Sequence, residues 1–211
     1  MTLTIPDTAE VVVRASHVSG PPQGQWTYAD YCALPDLAGY RYEILAGVLY
    51  MAPAPIPEHE NVAAIVAARL VTAVEDTGLG RVFTSPDIDA GGSVVRPDAV
   101  VVLASNSGII AERRLIGPPD LVVEISSPST AAYDRDAVSG KRAAYARMGV
   151  PEYWIVDLAS RSITLLVLQG AAYAERGAYT GADRLPSVVL PMLDTPAGRF
   201  FPRRGDVEAS A

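Results

Sequence analysis

The chain has 211 residues, a formal net charge of −7 and one cysteine, Cys32. That length predicts one domain with a short tail at each end. A single cysteine excludes an internal disulfide framework and a cysteine-built zinc site, and it fits a reducing cytoplasm. The negative charge excludes the footprint of a tight non-specific nucleic-acid binder, though not a local basic groove. No apolar run is long enough to span a bilayer, and no signal peptide is expected. Phosphate-binding glycine loops of the P-loop or dinucleotide type are absent from the sequence.

In chain order, residues 1–25 hold a short VVVR segment and end in a Gly/Pro-rich run, which reads as an N-terminal extension or linker. The domain is expected over residues 26–200, and residues 201–211 form a polar tail. Thr27 with Asp30 resembles a capping box opening a short helix that stops before Pro35. Cys32 is expected to be a small core residue. Tyr40 to Leu45 and Gly47 to Met51 predict a β-hairpin, ended by a proline-rich run. Glu58 to Asp76 reads as an amphipathic helix with Val62, Ile65, Val66, Arg69, Leu70 and Ala73 on one stripe. A strand over Arg81 to Ser85, a turn over Asp87 to Gly92 and an apolar strand over Val94 to Leu103 follow.

Leu121 to Ile125 predicts a third central strand, Asp134 to Met148 a crossover helix, and Glu152 to Asp157 a fourth strand parallel to the third. Tyr153 and Trp154 are expected to pack in the core or a dimer contact. Ser162 to Gln169 and Ala172 to Tyr179 complete a C-terminal β-meander. The class is therefore α/β, with a mixed β-sheet flanked by helices.

The chemistry concentrates between Asp98 and Lys141. On the third central strand, alternation puts Asp120, Val122 and Glu124 on one face. Buried acids are costly unless paired, protonated or bound to a cation. Asp98, at Arg96-Pro97-Asp98, lies on a neighbouring apolar stretch, and pairing of the two strands would bring Asp98 and Glu124 together. Hard oxygen ligands without cysteines or a histidine cluster suit Mg²⁺ or Mn²⁺. Among the 17 basic residues one is lysine, Lys141, and the rest are arginine. On a helix running through Val138, Lys141, Tyr145 and Met148, the lysine falls on the inward stripe. There it would balance the carboxylates and position a water or a phosphate.

Tyr42-Glu43-Ile44, Glu58-His59, Arg96-Pro97-Asp98, the run from Asp120 to Ser129, Tyr133-Asp134, Lys141, Tyr145 and Gly149 to Asp157 together resemble the Uma2-type, or DUF820, proteins. Those proteins are assigned to the PD-(D/E)XK restriction-endonuclease-like superfamily. The resemblance covers roughly Trp26 to Leu193. It implies a restriction-endonuclease-like fold and metal-dependent phosphodiester hydrolysis, with DNA as the partner and a homodimer as the assembly. Asp98 would be the acid of the Pro-Asp motif, Glu124 the acid of the (D/E)XK motif and Glu43 the upstream acid. Asp98 and Glu124 would hold the metal. Where the motif places lysine, two residues after Glu124, this chain has Ser126, and the resemblance assigns the lysine's role to Lys141.

Each residue has a plainer alternative. Glu43 could pair with Arg41, Asp98 could cap the turn after Pro97, and Asp120 could cap the start of its strand. His59, Ser126 and Tyr145 are pocket candidates, with a first-turn position for His59 and core packing for Tyr145 as alternatives. Three readings of the whole chain remain: an Mg²⁺-dependent endodeoxyribonuclease, a nuclease-fold binding module without turnover, or a nuclease of RNA, since no groove-reading motif chooses between the sugars. The serine in place of the strand lysine and the −7 charge motivate the second.

Overall fold

The computed structural model describes residues 12–36, 39–127 and 130–203. Residues 1–11 of the expected extension and 204–211 of the expected tail lie outside the described residues. Two six-stranded sheets share the chain. Val13–Arg14 (β1), within the segment expected as an extension, pairs antiparallel with a later strand. Tyr28–Cys32 (α1) is opened by Thr27, whose hydroxyl accepts from the Asp30 amide, while the Asp30 carboxylate accepts from the Thr27 amide. No residue of this one-turn helix is buried, so Cys32 is exposed rather than in the core.

Tyr40–Leu45 (β2) and Val48–Pro53 (β3) form the expected hairpin, with β1 on its outer edge. Pro57–Val74 (α2) has proline in its first turn, where the missing N–H costs nothing. Its buried stripe is His59, Val62, Val66, Leu70 and Val74. Ile65 and Arg69, expected on that stripe, fall about 90° to one side of its i, i+4 line.

Gly80–Thr84 (β4) precedes Ile88–Ala90 (β5) and Ser93–Val95 (β6), a small hairpin where a turn alone was expected. Ala99–Leu103 (β7) is a separate strand in the other sheet. The apolar stretch expected as one strand is thus two. Pro97 has no N–H to give a ladder, and the chain crosses between sheets at Arg96-Pro97-Asp98.

Leu115–Ile116 (β8) follows a 3₁₀ turn, and Leu121–Ser126 (β9) is buried along its whole length. Two helices then replace the single one expected: Ala131–Arg135 (α3) and Lys141–Met148 (α4). Gly140 permits the break, because a Cβ there would stand 2.2 Å from the Tyr133 carbonyl. Val138 lies in the break and is 83% exposed, so it does not share the inward stripe with Lys141. Gly149 ends α4 in the left-handed conformation at φ 86°. Glu152–Asp157 (β10) runs parallel to β9, as expected, and Ser162–Gln169 (β11) and Ala172–Thr180 (β12) form the terminal hairpin.

The first sheet has the order β1-β3-β2-β6-β5-β8 and the second β12-β11-β10-β9-β7-β4. Strand alternation divides the core. Leu121, Val123, Ile125, Trp154 and Val156 pack against the α2 stripe and Phe200. Val122, Tyr153 and Ile155 face Ala144, Tyr145 and Met148 of α4, together with Leu45, Ile88 and Val95 of the first sheet. Each large side chain buried this way contributes about 2–3 kcal/mol. Glu124 and Ser126 are on the second face, where the two sheets and α4 meet.

Candidate active site

Glu43 comes from β2, Asp98 from the crossing between sheets, Glu124 from β9, His59 from the first turn of α2 and Lys141 from the first turn of α4. All five line one pocket of about 490 Å³. Lys141 Nζ lies 2.9 Å from Glu124 Oε1 and 3.1 Å from Glu43 Oε1. Glu124 Oε1 also accepts from the Tyr145 hydroxyl at 2.5 Å. Glu43 Oε1 accepts from the Arg96 amide at 3.0 Å, which ties the first sheet to the crossing segment. Asp98 Oδ2 accepts from the Ile125 amide at 2.7 Å and lies 3.1 Å from His59 Nε2. The other ring nitrogen of His59 is buried without a partner among the described residues.

The remaining expected residues stand apart from the pocket. Tyr145 is fully buried behind Glu124. Ser126 Oγ accepts from Arg135 Nη1 at 3.0 Å, and Arg135 also pairs with Asp157 at 2.7 Å. Asp120 lies at the opposite end of β9. There its Oδ2 accepts from the Leu103 amide at 2.8 Å and the Asn106 amide group at 3.1 Å, the strand-capping alternative.

One pocket acid, named in the sequence only within the Tyr133-Asp134 motif, was given no site role. Asp134 of α3 is 1% exposed and lines the pocket, with Oδ2 unpartnered among the described residues. Its sequence signal was an acid in a helix start, which ordinarily serves as a solvated first-turn charge. Only the fold buries it.

Four carboxylates, Glu43, Asp98, Glu124 and Asp134, therefore face one buried ammonium. The arginines at the pocket have acids of their own: Arg41 pairs with Glu60 and Arg96 with Asp87. Burial pushes Glu124 well above the ordinary carboxylate range, Lys141 opposes this, and the charges of Asp98, Asp134 and Glu43 reinforce it. Burial likewise raises Asp134 to about 6, against the pull of Lys141 and of bonds from Thr130 and Ser126. Burial alone would lower Lys141, but the charges of Glu124, Glu43, Asp134 and Asp98 outweigh it and hold the ammonium well above its usual range. One lysine does not balance the cluster, which favours either protons or a further cation.

Among the described residues, no three His, Cys, Asp or Glu side chains stand in a metal-coordinating arrangement. The Lys141 ammonium takes the space between Glu43 and Glu124. The bonds above engage Oε1 of Glu124 and Oδ2 of Asp98, leaving Glu124 Oε2 and Asp98 Oδ1 to a cation. An all-oxygen, surplus-negative donor set fits a hard divalent ion.

Residues 28–198 match the Uma2 family, described as "Putative restriction endonuclease". The chain belongs to the Uma2 family. The Uma2 fold is also similar to a solved structure from Anabaena variabilis ATCC 29413, described as a "putative nuclease belonging to DUF820". That similarity has a TM-score of 0.67 at 18% identity and covers 83% of this chain and 97% of the other. No curated protein matches. The family supports a nuclease function for this Uma2 chain. Among the described residues no helix is long and apolar enough to cross a membrane.

Proposed function

We propose that the chain is an Mg²⁺- or Mn²⁺-dependent endonuclease hydrolysing phosphodiester bonds of DNA. The observation that carries this reading is the placement of Lys141. Its buried ammonium bridges Glu124 and Glu43 in the pocket that Asp98 enters from the crossing between the two sheets. Asp98 and Glu124 would hold the divalent ion, which would offset charge on the scissile phosphate and lower the pKa of a water.

The chain's own residues set up the rest. The Ile125 amide and His59 fix the Asp98 carboxylate. Tyr145 and Lys141 fix that of Glu124. Lys141, held as an ammonium by the surrounding carboxylates, would offset charge on a phosphate oxygen brought beside it. Glu43 holds the ammonium between the two sheets, in the role a strand lysine would fill from the position of Ser126.

Plasmid DNA with either metal tests the proposal. Metal-dependent cleavage that an Asp98→Ala variant loses is expected; no cleavage in either metal, or equal cleavage by the variant, overturns it.

Ser126 favours a second reading, a nuclease-fold binding module without turnover, because it stands where the motif places lysine and its hydroxyl accepts from Arg135 instead of carrying a charge into the pocket. Calorimetric titration separates the two. A divalent-metal site lost in Glu124→Ala argues against the module. We also propose a homodimer, motivated by the exposed edge at β12 and testable by sedimentation.

A further inference from the structure

A second groove, of about 800 Å³, runs along the flank of α2 that sequence periodicity had assigned to the core. Arg69, Arg161, Arg199 and Arg203 line it, with Ser160 and Thr180, and among the described residues no acid contributes to its walls. The chain has 24 acidic residues against 17 basic ones, so four arginines without an acid are a local reversal of its charge. Arg41, Arg96, Arg114, Arg135 and Arg184 each have a carboxylate partner. The four groove arginines have none among the described residues.

Two of these side chains are nonetheless anchored. Arg69 Nε donates to the Arg199 carbonyl at 3.3 Å, and Arg161 Nη2 donates to the Pro202 carbonyl at 2.6 Å. The Arg161 guanidinium stands 5.1 Å from the Phe201 ring centre. Arg161 also sits at φ 51°, a left-handed backbone that L side chains rarely adopt and that glycine or asparagine would hold without strain. An arginine stands there against the local backbone preference.

The groove and the acidic pocket share supports. Helix α2 carries His59 at one and Arg69 at the other, ten residues or about 15 Å apart along its axis. The β10–β11 turn that holds Arg161 is joined to the end of β9 by Arg135, which bridges Ser126 and Asp157. Clustered guanidiniums repel one another, and a polyanion relieves the repulsion. At about 3.4 Å of rise per base pair, a B-form backbone covers the distance from pocket to groove in roughly four to five base pairs.

We propose that this groove binds the phosphate backbone of duplex DNA beside the site of cleavage. The choice of DNA rests on the nuclease reading; the groove's affinity for a phosphate backbone does not. Acidity of the whole chain and binding to DNA are then compatible, because four arginines without an acid among the described residues are gathered in one groove.

The test is fluorescence anisotropy of the full-length protein with a labelled duplex of about 20 base pairs, in chelator so that nothing is cut, across a salt series around 100 mM. Arg161→Glu/Arg199→Glu is expected to weaken binding at least about tenfold and to reduce the salt slope by roughly 2, about 0.9 for each phosphate no longer neutralised. Arg161→Lys/Arg199→Lys should keep most of the affinity and slope. If the melting temperature shows that Arg161→Glu disturbs its turn, Arg199→Glu/Arg203→Glu, both exposed, carries the same expectation. Unchanged affinity and slope in the charge-reversed protein overturn the inference, as does wild type that binds a single-stranded RNA probe but not the duplex.

Plasmid cleavage in Mg²⁺ separates the two proposals. Arginine-dependent binding without cleavage leaves the groove standing and removes the nuclease reading. Cleavage with unchanged KM in the charge-reversed variant does the reverse.

Discussion

Glu124 and Glu152 are buried glutamates on adjacent parallel strands, satisfied in opposite ways. Glu152 is fully buried, and among the described residues its donors are neutral: Trp154 Nε1 at 2.5 Å, the Val188 amide at 2.6 Å and the Val189 amide at 3.1 Å. Its carboxylate ties β10 to the segment after β12 and lines neither pocket. Glu124 shares one lysine with three other carboxylates and opens onto a cavity. Neutral N–H donors satisfy both oxygens of Glu152 without a counter-ion, so Glu152 belongs to the architecture. A cluster with surplus charge costs stability unless a further cation or a proton joins it. That contrast separates a structural acid from one placed for chemistry better than burial does, since both are buried.

Removing the lysine should break the contrast most severely. Lys141→Met leaves Glu124 and Glu43 without their cation, and loss of one member of a buried pair costs about 3–5 kcal/mol. Urea denaturation at neutral pH should show that loss, and plasmid cleavage should disappear. Stability within about 1 kcal/mol of wild type would mean that the pair is not formed in solution.

The two glutamates then give paired expectations. Glu124→Gln should lower cleavage by about a thousandfold, equivalent to roughly 4 kcal/mol at the transition state, while leaving stability equal or improved. Glu152→Gln turns an amide group toward backbone N–H donors and should cost about 2–3 kcal/mol of stability, with the cleavage rate of the folded protein unchanged. Should both variants lose activity with stability intact, the division between them falls.

Asp134 sharpens the same comparison through pH. Its folded pKa of about 6 lies above the ordinary 3.8, so the folded state holds the proton more tightly than the unfolded chain. In metal-free buffer its contribution therefore falls as pH rises from about 4 to about 6 and is level above that, a change of up to about 3 kcal/mol. Glu124, raised for the same primary reason, acts in the same direction. Asp134→Asn should flatten this part of the stability profile. A slope identical to wild type would place the titration elsewhere.

The parallel unit β9–α4–β10 was legible because an apolar strand interrupted by one acid, followed by a unique lysine, stands out against its background. Convergence of Asp98 with Glu124 followed from pairing two apolar strands. Other features required the third dimension. Val94 to Leu103 looks continuous in apolar content, and only the backbone at Pro97 divides it between sheets. The Lys141 stripe was counted through Val138, yet the helix begins at Lys141 itself, so the lysine points inward from a first turn. Asp134 and Glu152 read as acids at the start of a helix and of a strand. Glu152 is held by amides up to 37 residues away, and the Asp134 turn is tied to β10 by the Tyr153 hydroxyl, which donates to the Asp134 backbone carbonyl. The arginine groove was hidden because its members come from four separated stretches of chain.

His59 should give the smallest effect and the finest test of how Asp98 is held. Asp98 Oδ2 has two donors in reach, the Ile125 amide and His59 Nε2. The backbone bond survives any substitution at 59, so the carboxylate keeps one fixed partner and gives up the other. His59→Ala should therefore reduce cleavage by about tenfold, or roughly 1.4 kcal/mol, well short of the loss expected at Glu124. His59→Gln, whose amide N–H can reach toward the same oxygen, should recover part of it. Calorimetry with Mg²⁺ or Mn²⁺ alone distinguishes orientation from direct metal contact. A positioning role predicts metal affinity reduced but measurable in His59→Ala and restored in His59→Gln. Affinity abolished in both variants would make the imidazole a ligand instead, with its unpartnered nitrogen as the candidate donor.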